Sequence, residues 1–193
     1  AIVAGNSDMT FNDCTAECGS YFALTHCVNG WQEEVADITV TGGDIHTKKE
    51  CVLVKSHNMM LDLCDVNISS DKGILVHTIV NDDPCATKVT KDVFGVNVVM
   101  TDMDVKGDLL HEDTTREMWV MLNSTQLTGA IQHANVAFDK GSKWVATADS
   151  DVVFVTDVEP AQIDAPAGVT ITAKGAEAGE FALASGGKLV VTA

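Results

Sequence analysis

The chain has 193 residues, 46% of them apolar, with 3 prolines and a formal net charge of −16 from 12 basic and 28 acidic side chains. This length suits one domain with a sizeable core, and the apolar share argues against a disordered chain. Arg116 is the only arginine, and recognition of nucleic acid or of anionic polysaccharide needs clustered cations that this chain lacks.

The chain opens at Ala1 rather than Met, so a processed product or a fragment is expected. No apolar run reaches the length of a bilayer span. From Met9 onward one short pattern keeps returning: two alternating apolar residues, a polar step, then two more. It reads Met9, Phe11, Cys14, Ala16; then Ile38, Val40, Gly43, Ile45; then Leu61, Leu63, Val66, Ile68. Val98, Met100, Met103, Val105 follow, then Val120, Leu122, Thr125, Leu127, and more loosely Val136, Phe138, Gly141. Alternation of period two places these side chains on one face of a strand, and a recurring strand unit that cannot bury its own face stacks on its neighbours.

Val40 to Leu63 is 23 residues, Met100 to Leu122 is 22, and the steps from Leu122 to Phe138 and on to Phe154 are 16 each. The step from Leu63 to Met100 is 37 residues, which places an insertion at about 79–95; a second falls at 27–36. A second strand follows each first one, beginning at Phe22, Val52, Ile74 and Leu109. Aligned without gaps, these four form one inward column. Leu24, Val54 and Val76 form the next, which His111 interrupts.

Six cysteines fall at positions 14, 18, 27, 51, 64 and 85. Cys14 is expected in the core. Cys18, Cys27, Cys51, Cys64 and Cys85 fall at turns, strand ends or outward positions and are the disulfide candidates. Free buried thiols are the other reading, and no pairing follows from sequence.

The most site-like cluster is the polar end of the second strands, where His26, His57, His77 and His111 gather. His57, His77 and His111 with Asp82, Asp83, Glu112 and Asp113 are candidate metal ligands, imidazole for zinc and carboxylate for calcium. A polar ladder between stacked strands is the alternative. An outward column of Asp44, Asn67, Asp104 and Gln126 carries two carboxylates roughly 10 Å apart at about 4.8 Å per strand, too far for a retaining glycosidase pair. Trp31 is expected to be exposed, with Trp119 and Trp144 packed at corners.

The stretches Leu122 to Ile131 and Ala134 to Trp144, with a Leu-x-Gly-x-Ile unit and then Gly141, Ser142 and Trp144 at a corner, resemble right-handed parallel β-helices of the pectin-lyase-like superfamily. The closest likeness is to bacterial adhesin and autotransporter-passenger-like surface solenoids. The resemblance implies secretion or surface display. The superfamily's catalytic blocks are absent, so no catalytic residue is assigned.

The expectation is a single all-β domain over 1–193, a single-stranded right-handed β-solenoid of about seven or eight coils. Its role would be structural or adhesive and non-catalytic, extracellular, with no cofactor assigned beyond the calcium or zinc option. A carbohydrate-active enzyme or carbohydrate-binding module of the same superfamily is the alternative. Partners would be other copies or neighbouring domains, with carbohydrate or a cell surface as further classes. The apolar end segments, Ala1, Ile2 and Val3 at the start and Leu189, Val190 and Val191 at the finish, are the expected self-association edges.

Overall fold

The computed structural model describes residues 2–4, 6–26, 34–82 and 94–193, with residues 2–4 as backbone only. The chain starts with β1 (Ile2–Ala4), β2 (Ser7–Cys18), β3 (Ala23–His26), β4 (Val35–Thr47), β5 (Val52–Lys55) and β6 (Asn58–Cys64). It continues through β7 (Asn67–Ser70), β8 (Ile74–Ile79), β9 (Val96–Thr101), β10 (Asp104–Lys106), β11 (Asp108–His111) and β12 (Met118–Asn123). It ends with β13 (Gln126–Thr128), β14 (Ile131–Phe138), β15 (Lys143–Val145), β16 (Ser150–Phe154), β17 (Ile163–Asp164), β18 (Thr170–Lys174), β19 (Gly179–Ala182) and β20 (Lys188–Thr192). The only helical element among the described residues is a single 3-10 turn, Pro160–Gln162, and no helix is long and apolar enough to cross a membrane.

The repeat read from the sequence is the register of the main sheet. Met9 pairs with Ile38, Ile38 with Leu61, Leu61 with Val98, Val98 with Val120 and Val120 with Val136, all in parallel. Two residues on, Phe11, Val40, Leu63, Met100, Leu122 and Phe138 form a second inward column. Phe154 departs from the expected spacing. It pairs with Val136, because the register shifts near His133, and only its ring meets Phe138 edge-on, at 6.2 Å between centroids.

The polar step in each repeat is a backbone bend. Asp13, Gly42, Asp65, Asp102 and Ser124 occupy the same position in successive repeats, with φ of 50°, 66°, 49°, 55° and 48°. That left-handed conformation costs most residues energy and is tolerated best by Gly and by short polar side chains, which is the set found here. The bend carries the chain onto a second wall, where Asp44 pairs with Asn67 and Val105 with Leu127, then Leu127 with Trp144 and Trp144 with Ile163. Gly43 follows the second bend at φ 84°, and a Cβ there would lie 2.2 Å from the Cys14 carbonyl oxygen.

The second strands, β3, β5, β8 and β11, form a third wall, and here the structure corrects the expected register. Its inward columns are Ala23, Val52, Val76 and Leu109, then Thr25, Val54, Thr78 and His111. Phe22 and Leu24 sit one residue off, and Ile74 two. The cause is turn length. Ile45 to Val52 is seven residues, Ile68 to Val76 is eight, and Val105 to Leu109 only four, so no gapless alignment holds. A slip of one residue exchanges the two faces of a strand.

One continuous apolar cluster runs from Phe22 to Val191, between the walls of a curled parallel sheet. The molecule is all-β, and this pairing is compatible with a solenoid. Only the last strands break the parallel pattern: β20 pairs with β18 in parallel and with β19 antiparallel.

Candidate functional site

The polar corner expected from the histidines exists, but alternation divides it between two faces. His111 stands inward in the Thr78 column, whereas His77 stands outward between Leu53 and Leu110. β5 is followed by Ser56, whose φ of 45° turns His57 into the interior, where it is 1% exposed.

Each group there meets a different partner. The His111 Nε2–H donates to the Arg116 carbonyl at 3.0 Å, and its Nδ1 takes the hydroxyl proton of Thr78 in a short hydrogen bond. Burial holds the His111 pKa below its usual value, which suits this neutral form. Arg116 Nη1 donates to Asp113 Oδ2 at 2.9 Å, and both side chains are sealed from solvent. Asp113 Oδ1 also accepts from the Thr115 amide at 3.0 Å. Among the described residues neither ring nitrogen of His57 has a hydrogen-bond partner. Burial, with the nearby Arg116 and His26 adding repulsion, lowers its pKa to about 4.

On the outer side His77 lies between two carboxylates, Nδ1 at 3.7 Å from Glu50 Oε1 and Nε2 at 3.5 Å from Glu112 Oε2. Lys55 Nζ lies 3.3 Å from Asp82. Such partly exposed pairs contribute little to stability.

Among the described residues the expected metal ligands take separate partners, and no three ligating side chains converge. His111 spends both nitrogens on Thr78 and Arg116, His57 points inward alone, and His77 points outward. Asp82 faces Lys55, Glu112 faces His77 and Asp113 faces Arg116, so they offer no shared oxygen cage for calcium. Asp83 lies outside the described residues.

The cysteine expectation changes too. Cys14, Cys18, Cys51 and Cys64 are free thiols, while Cys27 and Cys85 lie outside the described residues. Cys51 is fully buried rather than at a surface turn, and its thiol donates to the Ser69 carbonyl at 3.3 Å. Burial raises its pKa to about 11. Within the outward column Asp44 pairs with Asn67 and Asp104 with Gln126, and Asn67 Nδ2 donates to Asp44 Oδ1 at 2.8 Å. Asp44 is thus tied to an amide ladder and has no second carboxylate beside it in that pair.

Of the tryptophans, Trp144 is wholly buried and donates to the Gly129 carbonyl at 2.8 Å. Trp31 lies outside the described residues. Trp119 does not pack into a corner: it stands on the outer face of the main sheet, half-buried, its Nε1–H donating to Glu117 Oε2 at 3.2 Å. Sequence reasoning missed this outer column of Asp37, Met60, Asn97, Trp119 and Asn135. The signal was there, since each residue immediately precedes a member of the inward Ile38 column.

The ends differ from expectation as well. Both backbone edges of β20 are occupied, by β18 and β19, and Leu189 and Val191 are core residues at 3% and 8% exposure, with only Val190 facing outward. Leu189, Val190 and Val191 therefore have no free ladder to offer. At the other end, among the described residues, β1 and β2 each pair on one side only, with β3 and β4. Ala1 lies outside the described residues; Ile2 and Val3 belong to β1.

No family model, no curated protein and no solved structure matches this chain.

Proposed function

We propose that the chain is a right-handed parallel β-helix, of about seven or eight coils, with a non-catalytic structural or adhesive role outside the cell. In this reading it engages another copy or a neighbouring domain through its N-terminal edge.

The observation that carries this is β2. It is twelve residues long, paired on one side only among the described residues, and its inward residues Met9, Phe11, Ala16 and Cys18 are only partly buried. Their partners one strand deeper, Ile38, Val40, Ile45 and Thr47, are 0–1% exposed. A long edge above an open core is what a stacking neighbour covers, and natural sheets otherwise blunt such edges.

Sedimentation of the intact chain at rising concentration tests the reading, against one chain lacking residues 1–5 and another carrying Phe11→Lys. Association that either change abolishes supports it. A chain strictly monomeric at high concentration, with no partner domain taken up at β2, overturns it.

A further inference from the structure

We propose that the outer face of the main sheet is a self-complementary docking surface for a second copy of this chain, related by a two-fold axis passing beside Trp119. This contact is separate from the edge of β2 and does not rest on it.

The face is defined by register. Its first outward column runs Asp8, Asp37, Met60, Asn97, Trp119, Asn135, Val153, Lys174 and Thr192, one residue per strand from β2 to β20. The neighbouring column carries Thr39, Asp62, Val99, Met121 and Ala137. In a chain with a net charge of −16 this central stretch is unusually apolar: Met60, Val99, Trp119, Met121, Ala137 and Val153 all face outward. Val153 is 36% exposed and the adjacent Val155 42%. Contiguous apolar area of this kind on a strongly charged protein marks a contact surface.

Charge and shape along the column identify the occupant. Acidic Asp37 lies three strands before Trp119, and basic Lys174 lies three strands after it. A two-fold axis parallel to the strands, beside Trp119, reverses the order of strands in the facing copy. Trp119 then meets Trp119, Asn97 meets Asn135, Met60 meets Val153, and Asp37 meets Lys174. Each pair is matched in kind: ring on ring, amide on amide, apolar on apolar, anion on cation. The neighbouring column places Met121 on Met121 and Val99 on Ala137. Two charges go unmatched: Asp62, and Glu117, which accepts from Trp119 Nε1–H and lies near its own copy across the axis.

The surface is also shaped for it. A depression of about 340 Å³ beside the column is lined by Asn135, Val153, Lys174 and Thr192 together with Glu117, His133 and Asp151. In the proposed pairing its Val153 side lies against Met60 of the second copy. Seven strands at about 4.8 Å, with three alternate residues across, give on the order of 600 Å² per partner, the lower end of specific interfaces. An isologous contact of this form closes on itself and yields a dimer rather than a fibre.

The test is sedimentation velocity of the intact chain at physiological ionic strength. Circular dichroism confirms that each variant keeps its fold. A concentration-dependent dimer is expected. Trp119→Glu abolishes it, and Asp37→Lys or Lys174→Asp alone weakens it roughly tenfold, since each reversal places like charges opposite one another twice per dimer. The combined D37K/K174D chain recovers dimerisation. Phe11→Lys, which acts at the edge of β2, leaves the dimer intact, so failure here and failure of the edge contact are separable. The proposal is overturned by a chain that stays monomeric, by a dimer indifferent to Trp119→Glu, or by a double reversal that does not recover. It is equally overturned if Trp119 fluorescence in a monomeric chain responds to soluble polysaccharide, which would make the face a sugar platform instead.

Discussion

Arg116 and Asp113 form an ion pair sealed inside the protein, Nη1 to Oδ2 at 2.9 Å with the side chains 0% and 1% exposed. The only arginine of the chain is thus spent on the interior. The same residue accepts, through its carbonyl, the Nε2 proton of His111. The three residues join the end of β11 to the start of β12.

Removing one partner of such a pair leaves an uncompensated buried charge. Arg116→Met is therefore expected to cost about 3–5 kcal/mol in urea unfolding. Replacing both, Asp113→Asn with Arg116→Met, should recover most of that loss. If the double variant is as unstable as the single one, the pair is not what holds the corner.

His57 makes the protein sensitive to mild acid. Its pKa of about 4 lies below the ordinary histidine value of 6.5, so the unfolded chain binds the proton first as pH falls. Stability is then fully present above about pH 6.5 and declines toward pH 4, by up to about 3 kcal/mol from this residue alone. His111 acts in the same direction. His57→Leu removes two unsatisfied nitrogens along with the titration. Melting temperatures measured between pH 7 and 4 should therefore fall less steeply in that variant than in the wild type.

The register of the main sheet predicts a sharp contrast between neighbours. Leu63 is 1% exposed, whereas Asp62 faces outward. Leu63→Asp should cost several kcal/mol by burying an unpaired carboxylate, on the order of 4 kcal/mol. Asp62→Asn should stay within about 0.5 kcal/mol. Equal losses in chemical denaturation would refute the assigned face.

The row of left-handed bends offers a separate measurement. Asp65→Val or Ser124→Val places a β-branched residue at φ near 49° and should cost about 1–2 kcal/mol. Asp102→Gly should be neutral or stabilising. Gly43→Ala is expected to be worse than any of these, because its Cβ would meet the Cys14 backbone rather than open space.

Much of the main sheet was legible in the residues themselves. Alternation from Met9 to Phe138 determined which side chains enter the core. Asp, Gly or Ser at one recurring position marked where the backbone bends. Both signals are local: a strand alternates with period two, and few residue types tolerate positive φ. The outer Trp119 column was equally implicit, because outward neighbours follow once the inward ones are known.

The third wall and the polar corner depended on tertiary structure. Four, seven or eight residues separate the inward positions of the second and third walls, and a single-residue difference decides which face of the strand a histidine takes. His77 and His111 look alike in sequence, yet one meets Glu50 and Glu112 while the other meets Thr78 and Arg116. The fate of β20 was decided the same way, since β19 folds back to pair with its edge. Composition and period determined what is apolar and where the chain bends. Only the packed structure decided which polar groups share a face, because that depends on register between strands distant in sequence.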